Sequence, residues 1–278
     1  MKQLFDTSSY RCSTLITKTY STSFSKGVAL LAPSIRPAIY AIYGFVRYAD
    51  EIVDTFQDFN QSELLAEFEA DYQKALDRKI SLNPIINAFQ EVVHRYQLQP
   101  LVVDFLASMK MDLFKSEYTT LQEYQQYIYG SADVVGLMCL RVFVNGNEKE
   151  YERLKPFAMR LGSAFQKVNF LRDFKDDMEG LGRSYFPNLS HTSLNEFTKR
   201  EIIKDIEADF TEAYKGIVQL PMECRLGVYL AYRYYLRLLK ELKLADSYKI
   251  MNQRIRVSTF FKMELLLKSY LRYKLNII

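Results

Sequence analysis

Two runs of carboxylates, more than a hundred residues apart, stand at helical spacing. In Gln166-Lys-Val-Asn-Phe-Leu-Arg-Asp-Phe-Lys-Asp-Asp177, the side chains of Gln166, Asn169, Asp173 and Asp177 recur every three or four residues, so a helix stacks them on one face. In Tyr43-Gly-Phe-Val-Arg-Tyr-Ala-Asp-Glu-Ile-Val-Asp54, Tyr43, Arg47, Asp50 and Asp54 do the same. Two such faces turned towards each other across a cavity make a place for hard cations and the phosphate oxygens they bridge.

Spacing alone is weak. With 15 Asp in 278 residues, chance supplies roughly one Asp-x-x-x-Asp pair, and four are present: 50/54, 54/58, 173/177 and 205/209. Asp205 and Asp209 lie among Glu201, Lys204, Glu207 and Glu212, the pattern of a solvated helix face. From Ser34 to Phe56 the only other charges are Arg36, Arg47 and Glu51. A helix that apolar is expected to be buried nearly all round, and its carboxylates must find cations or donors inside the protein. On the second run, Phe157, Leu161, Ala164, Phe165, Val168 and Leu171 read as the core stripe. Met159, Gly162, Gln166, Asn169 and Phe170 share the face of Asp173 without Lys or Glu, which reads as a cavity wall.

Helices must carry these faces. The pattern predicts helices over 10–20, from Pro33-Ser-Ile-Arg-Pro37 to Asp54, over 62–78, 84–96 and 100–115, and from a cap at Thr119 or Thr120 to Asn145-Gly146. Two glycines in Gly130-Ser-Ala-Asp-Val-Val-Gly136 mark either a helix-packing notch or a bend facing a ligand. Further helices are expected from Glu148 to about Glu179, where Gly180 to Pro187 breaks the run, then over 193–218, 221–243 and 246 to the end. The Gly-rich turn, with Arg183 and Tyr185, either ends the helix or folds over the carboxylates. The hydroxyl run Ser21-Thr-Ser-Phe-Ser25 is either a cap or a set of phosphate donors, and the acidic pair that follows favours donors. Nothing alternates with period two for long enough to form a sheet, so the expectation is an all-α, single-domain bundle around a central cavity, residues 1–278.

Composition narrows the function. A 49% hydrophobic chain with 10 Gly and 7 Pro suits a large helical core, and no Gly-x-Gly-x-x-Gly or P-loop run suggests a nucleotide site. Only His94 and His191 are available, which disfavours a His-based triad or metal cluster. Cys12, Cys139 and Cys224 are odd in number and scattered, as in a reducing compartment. A net charge of +4 without a clustered basic face gives no reason to expect nucleic acid. With no signal-like apolar leader and no spanning stretch, a cytoplasmic protein, soluble or peripherally membrane-associated, is expected. Most of the 21 Tyr and 19 Phe are expected to be ordinary core, and a long apolar or cationic ligand would also use such rings.

Six motifs then carry a resemblance over nearly the whole chain: Ser21-Thr-Ser-Phe-Ser25; Arg47-Tyr-Ala-Asp-Glu-Ile-Val-Asp54; Tyr127-Ile-Tyr-Gly-Ser-Ala-Asp-Val-Val-Gly136; Gln166-x-x-Asn169-x-x-Arg172-Asp173-x-x-x-Asp177; Gly182-Arg-Ser-Tyr-Phe-Pro187; and Arg254-x-Arg-Val-Ser258. Together and in this order they resemble the squalene/phytoene synthase family of head-to-head isoprenoid synthases, in particular its bacterial phytoene-forming members. The first motif departs at Thr22, uncharged where some dehydrosqualene-forming members carry a basic residue.

The resemblance implies Mg²⁺, with Mn²⁺ as a substitute, held by Asp50, Asp54, Asp173 and Asp177. It further implies catalytic roles for Tyr127, Gln166, Asn169 and Arg172, and substrate contacts from Ser21, Ser23, Tyr43, Arg47, Arg183 and Tyr248. The implied reaction joins two geranylgeranyl diphosphates into phytoene through a cyclopropyl diphosphate, without NADPH, as a step of carotenoid biosynthesis. Within the family the alternative is squalene or dehydrosqualene from farnesyl diphosphate. Outside enzymes the alternative is an inactive relative acting in assembly, which would have lost some of these carboxylates. Implied partners are the prenyl diphosphates, the inner membrane surface and a downstream carotenoid desaturase. Residues 257–278 are expected to lie at that surface, with Phe260, Phe261, Leu265, Leu266, Leu267, Leu271 and Leu275 inward and Lys262, Lys268, Arg272 and Lys274 outward.

Overall fold

Short polar side chains set where helices begin. Asn60, Asn83, Asn147, Asn195 and Asp246 each accept from the first-turn backbone of the helix they precede, and Thr120 with Glu123 forms a reciprocal capping box. The structure, a computed structural model, describes residues 1–180, 182–187, 194–275 and 278. The described helices are α1 (Lys2–Tyr20), α2 (Thr22–Ala29), α3 (Arg36–Asp54), α4 (Gln61–Arg78), α5 (Pro84–Tyr96), α6 (Gln99–Asp112), α7 (Leu121–Ile128), α8 (Val134–Phe143), α9 (Glu148–Arg172), α10 (Phe174–Gly180), α11 (Glu196–Ile217), α12 (Met222–Leu244), α13 (Ser247–Asn252) and α14 (Thr259–Lys274). Among the described residues extended pairing is limited to one parallel bridge, Glu117 with Ser184, so the architecture is all-α as expected.

Two apolar cores flank a cavity. The first gathers α3, α5, α6 and α8 around Phe45 and Phe89, whose rings stack at 4.0 Å. Close approach of α1 to α3 depends on small side chains: Ser9, Ser13 and Thr17 are fully buried, and Gly44 meets Ser13. The second core joins α9, α11 and α12 through Val168, Phe210 and Leu239. α9 packs along α11, while α12 packs against α2 and α14.

Four boundaries differ from the sequence expectation, each for a traceable reason. α1 begins at Lys2, its first turn supported by Lys2 on Asp6 at 2.7 Å. The predicted helix 148–179 is divided at Asp173, whose backbone (φ −95°, ψ 9°) leaves the helix while Arg172 and Arg254 both engage its carboxylate. The predicted helix from 246 onward is interrupted by an extended segment beginning at Gln253 (φ −153°, ψ 145°), which buries Ile255 and carries Arg254 to Asp173. The glycines of 130–136 do not stop the helix: α7 continues into α8 through one wide π-turn, Tyr129–Asp133. The packing-notch reading of that stretch holds, and the stretch also borders the cavity. A Cβ at Gly130 would lie 1.9 Å from Ser108 Oγ, a packing notch, while Ser131, Ala132, Val135 and Gly136 line the cavity. Of the helix expected over 193–218, residue 193 lies outside the described residues.

Candidate active site

A cavity of about 1010 Å³ opens between the two cores, the upper end of the range for ligand pockets. α3 offers it Ile39, Tyr43, Arg47, Asp50 and Asp54, and α9 offers Phe157, Leu161, Phe165, Gln166, Asn169 and Asp173, one face of each helix. Of the fourteen residues named from sequence, twelve line this wall; Arg183 and Tyr248 do not. Part of the stripe assigned to core, Phe157, Leu161 and Phe165, also faces the cavity, and Met159 does not. A ligand space in the bundle centre needs an apolar wall of its own, which periodicity cannot distinguish from core.

The aspartates stand at one end, and Asp50, Asp54 and Asp173 are each held by an arginine. Arg47 donates to Asp50 at 2.7 Å and also pairs with Glu51, while its guanidinium lies 4.6 Å from the Tyr20 ring centroid. Arg183 contacts Asp54 at 2.5 Å. Asp173 receives Nε of Arg172 and Nε of Arg254, both at 2.8 Å. Enclosure and the negative charge of Asp54 push the Asp50 carboxyl up to about 7. Enclosure, then Asp173 and Asp54, push Asp177 up to about 8. The two predicted faces meet: Asp54 and Asp177 line the same cavity, and Arg183 spans them with its guanidinium on Asp54 and its backbone N–H donating to Asp177 O at 2.9 Å.

Among the described residues, no three carboxylate, imidazole or thiol groups close on one point. The donor set nevertheless fits a hard cation: it is all oxygen, and the mutual crowding that lifts Asp50 and Asp177 is what a divalent ion would relieve.

Around the acidic end the polar groups are positioned in pairs. The Tyr127 hydroxyl donates to Asp112 at 2.9 Å, and burial holds Asp112 up at about 7. Tyr127 stacks on Tyr185 at 5.2 Å, and Tyr185 on Phe170 at 4.0 Å, giving an aromatic wall. Asn169 Oδ1 accepts from the Tyr235 hydroxyl at 3.2 Å, and Tyr235 stacks on Phe165 at 3.9 Å. Ser21 caps α2, accepting from Phe24 N at 3.2 Å, so the capping reading of its hydroxyl holds while the residue still lines the cavity.

Sequence reasoning missed a cationic group at the mouth. Arg254, Arg256 and Lys262 line the cavity beside Arg172, and burial together with Lys26, Arg172 and Arg256 lowers the Lys262 pKa. Arg254 and Arg256 stood inside a quoted motif, but only the interruption before α14 reveals where they point. Tyr248, named in their place, is 73% exposed on α13. Arg183 is buried behind the aspartates rather than on the wall. The solvated reading holds for Asp205, which is exposed, and is corrected for Asp209, which is buried and receives Lys167 at 2.7 Å and Arg160 at 2.9 Å, tying α11 to the back of α9. α14 also turns differently. Leu265 and Ser269 are its buried residues, whereas Phe260, Met263, Leu267 and Leu271 are half or more exposed. Lys262 faces the cavity and Arg272 reaches the Tyr229 hydroxyl at 3.3 Å.

Paired acidic helix faces, a cationic mouth and an apolar cavity in an all-α bundle define a prenyltransferase of the isoprenoid-synthase type. The squalene/phytoene synthase family model matches residues 17–260, and the chain belongs to that family, whose members join prenyl groups head to head. It is 30% identical to the phytoene synthase of Arthrospira platensis, over 95% of this chain and 93% of that protein. It is 31% identical to the chloroplastic phytoene synthase of Narcissus pseudonarcissus over 86% of this chain, and spans about 60% of that protein's length. The fold is similar to a crystal structure of a dehydrosqualene synthase, with a TM-score of 0.83 and 22% identity over 97% of this chain and 98% of the other.

Proposed function

We propose that this chain, working as one catalytic domain, condenses two geranylgeranyl diphosphates into phytoene. The observation that carries the reading is the cavity: a single space with carboxylates and cations at one end and an aromatic and aliphatic body large enough for two long chains. Relatives about 30% identical that bear the phytoene synthase name support the choice of product. An inactive assembly protein is disfavoured because all four aspartates, Gln166 and Asn169 are present and face the same space.

Asp50, Asp54, Asp173 and Asp177 would hold Mg²⁺, or Mn²⁺ in its place. Bound there, the ions supply Lewis-acid assistance to departure of diphosphate. Arg47, Arg256, Lys262 and the hydroxyls of Ser21 and Ser23 meet diphosphate oxygens. Phe165, Phe170, Tyr127 and Tyr235 exclude water from the allylic cation and turn π-faces towards it. Gln166 and Asn169 orient the reacting ends between the two acidic faces. Release of an insoluble hydrocarbon calls for a lipid surface on the cytoplasmic side. The exposed strip Phe260, Met263, Leu267 and Leu271 begins beside Thr259 and Lys262 of the cavity wall, which supports docking there.

Purified protein incubated with Mg²⁺ and either geranylgeranyl or farnesyl diphosphate, with and without NADPH, tests the reading. Phytoene from geranylgeranyl diphosphate without NADPH is expected. A hydrocarbon formed only from farnesyl diphosphate would overturn it.

A further inference from the structure

Away from the aspartates, the cavity follows α9 backward from Asp173 to Leu154, and α3 backward from Asp54 to Ile39. At 1.5 Å per residue these are runs of roughly 28 Å and roughly 22 Å, so the apolar end lies far from the chemistry. α11 runs antiparallel to α9: Asp205 meets Lys167, Asp209 meets Arg160, and Gly216 meets Phe157. The last turn of α11 therefore arrives at the same end, with Ile217 and Leu220, as does Phe143 at the end of α8.

Among the groups gathered there, Phe157 is the one whose position is imposed from behind. A Cβ at Gly216 would fall 2.3 Å from Phe157 Cβ and 2.9 Å from its Cγ. The backbone of α11 thus presses directly on the root of the ring, which has no room to withdraw towards α11 and lines the cavity one turn before Leu154. A Cβ at position 216 would force α9 and α11 apart, because Phe157 Cβ is fixed to its own backbone and cannot rotate away, and a packed interior has no spare volume.

We propose that Phe157, backed by Gly216, closes the apolar end of the cavity and sets the longest prenyl chain that can be accommodated. The inference rests on the prenyl-diphosphate reading of the cavity but is independent of which chain the native protein uses. One steric contact yields opposite effects from different changes. Removing the ring in Phe157→Ala deepens the cavity, whereas Phe157→Trp shortens it.

The test compares kcat/KM for farnesyl, geranylgeranyl and geranylfarnesyl diphosphates in each variant, alongside Kd for unreactive thiolo-diphosphates of the same three lengths. In Phe157→Ala the preference for the next longer chain over the wild-type optimum rises about tenfold or more, the discrimination that small volume changes in an apolar pocket produce. Phe157→Trp shifts both measures towards the shorter chain. Phe157→Leu serves in place of the alanine variant if that does not fold. Folded Phe157 variants whose chain-length preference stays within twofold of wild type in both measures would overturn the proposal. Failure of the phytoene reading shows separately, in the wild-type product, and leaves the shift in Kd to decide this inference.

Discussion

Arg183 reaches across 129 residues of sequence to Asp54, its Nη1 standing 2.5 Å from Oδ1, while Nη2 donates to the carbonyls of Val53 and Asp112 at 3.0 Å each. One buried guanidinium thereby joins the ends of α3 and α6 to the loop after α10. Its own backbone N–H donates to Asp177 O at 2.9 Å, and the bridge at Ser184 fixes the loop. Replacing Arg183 with Gln strands Asp54 and two carbonyls, a loss on the order of 3 kcal/mol. Lys cannot reproduce the planar fork and should recover little of it. Denaturant unfolding that places Arg183→Lys within about 0.5 kcal/mol of wild type would show that the fork is unimportant.

Asp54→Asn and Asp173→Asn preserve volume and remove charge at the cation site. Turnover with Mg²⁺ should fall by orders of magnitude while the circular dichroism spectrum is retained. Near-normal activity in either variant would remove the aspartates from the mechanism.

The cationic mouth separates substitutions on the cavity wall from one on the outside of α13. Arg256→Ala and Lys262→Ala should raise KM for the diphosphate substrate about tenfold each, the loss of a charge-assisted contact. Tyr248→Ala, on the outside of α13, should leave KM and kcat within about twofold of wild type. Steady-state kinetics reversing that order would return Tyr248 to the site.

Asp133, in the π-turn, accepts from the Ser163 hydroxyl at 2.9 Å, and burial pushes its carboxyl up to about 7 from an ordinary 3.8. The folded protein holds a proton that the unfolded chain releases near pH 4, so this contribution is complete below pH 4 and is lost as pH rises through 7. Asp133→Asn does not titrate. Its stability relative to wild type should therefore improve between pH 4 and pH 8 by an amount on the order of 4 kcal/mol, measured by urea unfolding at each pH. A difference independent of pH would mean that Asp133 is ionised throughout.

Flotation with liposomes containing anionic lipid addresses α14. Wild type should rise with the vesicles at low salt, and the triple change Phe260→Ser, Leu267→Ser and Leu271→Ser should abolish this while activity on detergent-dispersed substrate persists. Equal flotation of the triple variant would place membrane contact elsewhere. Wild type remaining in the aqueous fraction would deny it altogether.

Much of this molecule is legible from local pattern because helix geometry is local. Asp50 and Asp54 must share a face of α3, and Gln166 and Asn169 a face of α9, whatever else the chain does. Thr120 with Glu123, and Asn83 before Pro84, announce helix starts through groups within four residues of each other. Six ordered motifs were enough to indicate the family. Tertiary structure decided what depends on partners distant in sequence. Lys167 and Arg160 turn Asp209 from a seemingly solvated residue into a buried one. Arg172 and Arg254 together hold Asp173 where α9 ends. Gly216 sets the stance of Phe157, and packing of Leu265 and Ser269 determines which side of α14 faces out. Each is a pairing between elements, and its outcome follows from which surfaces meet, a quantity absent from the spacing of residues along any one helix.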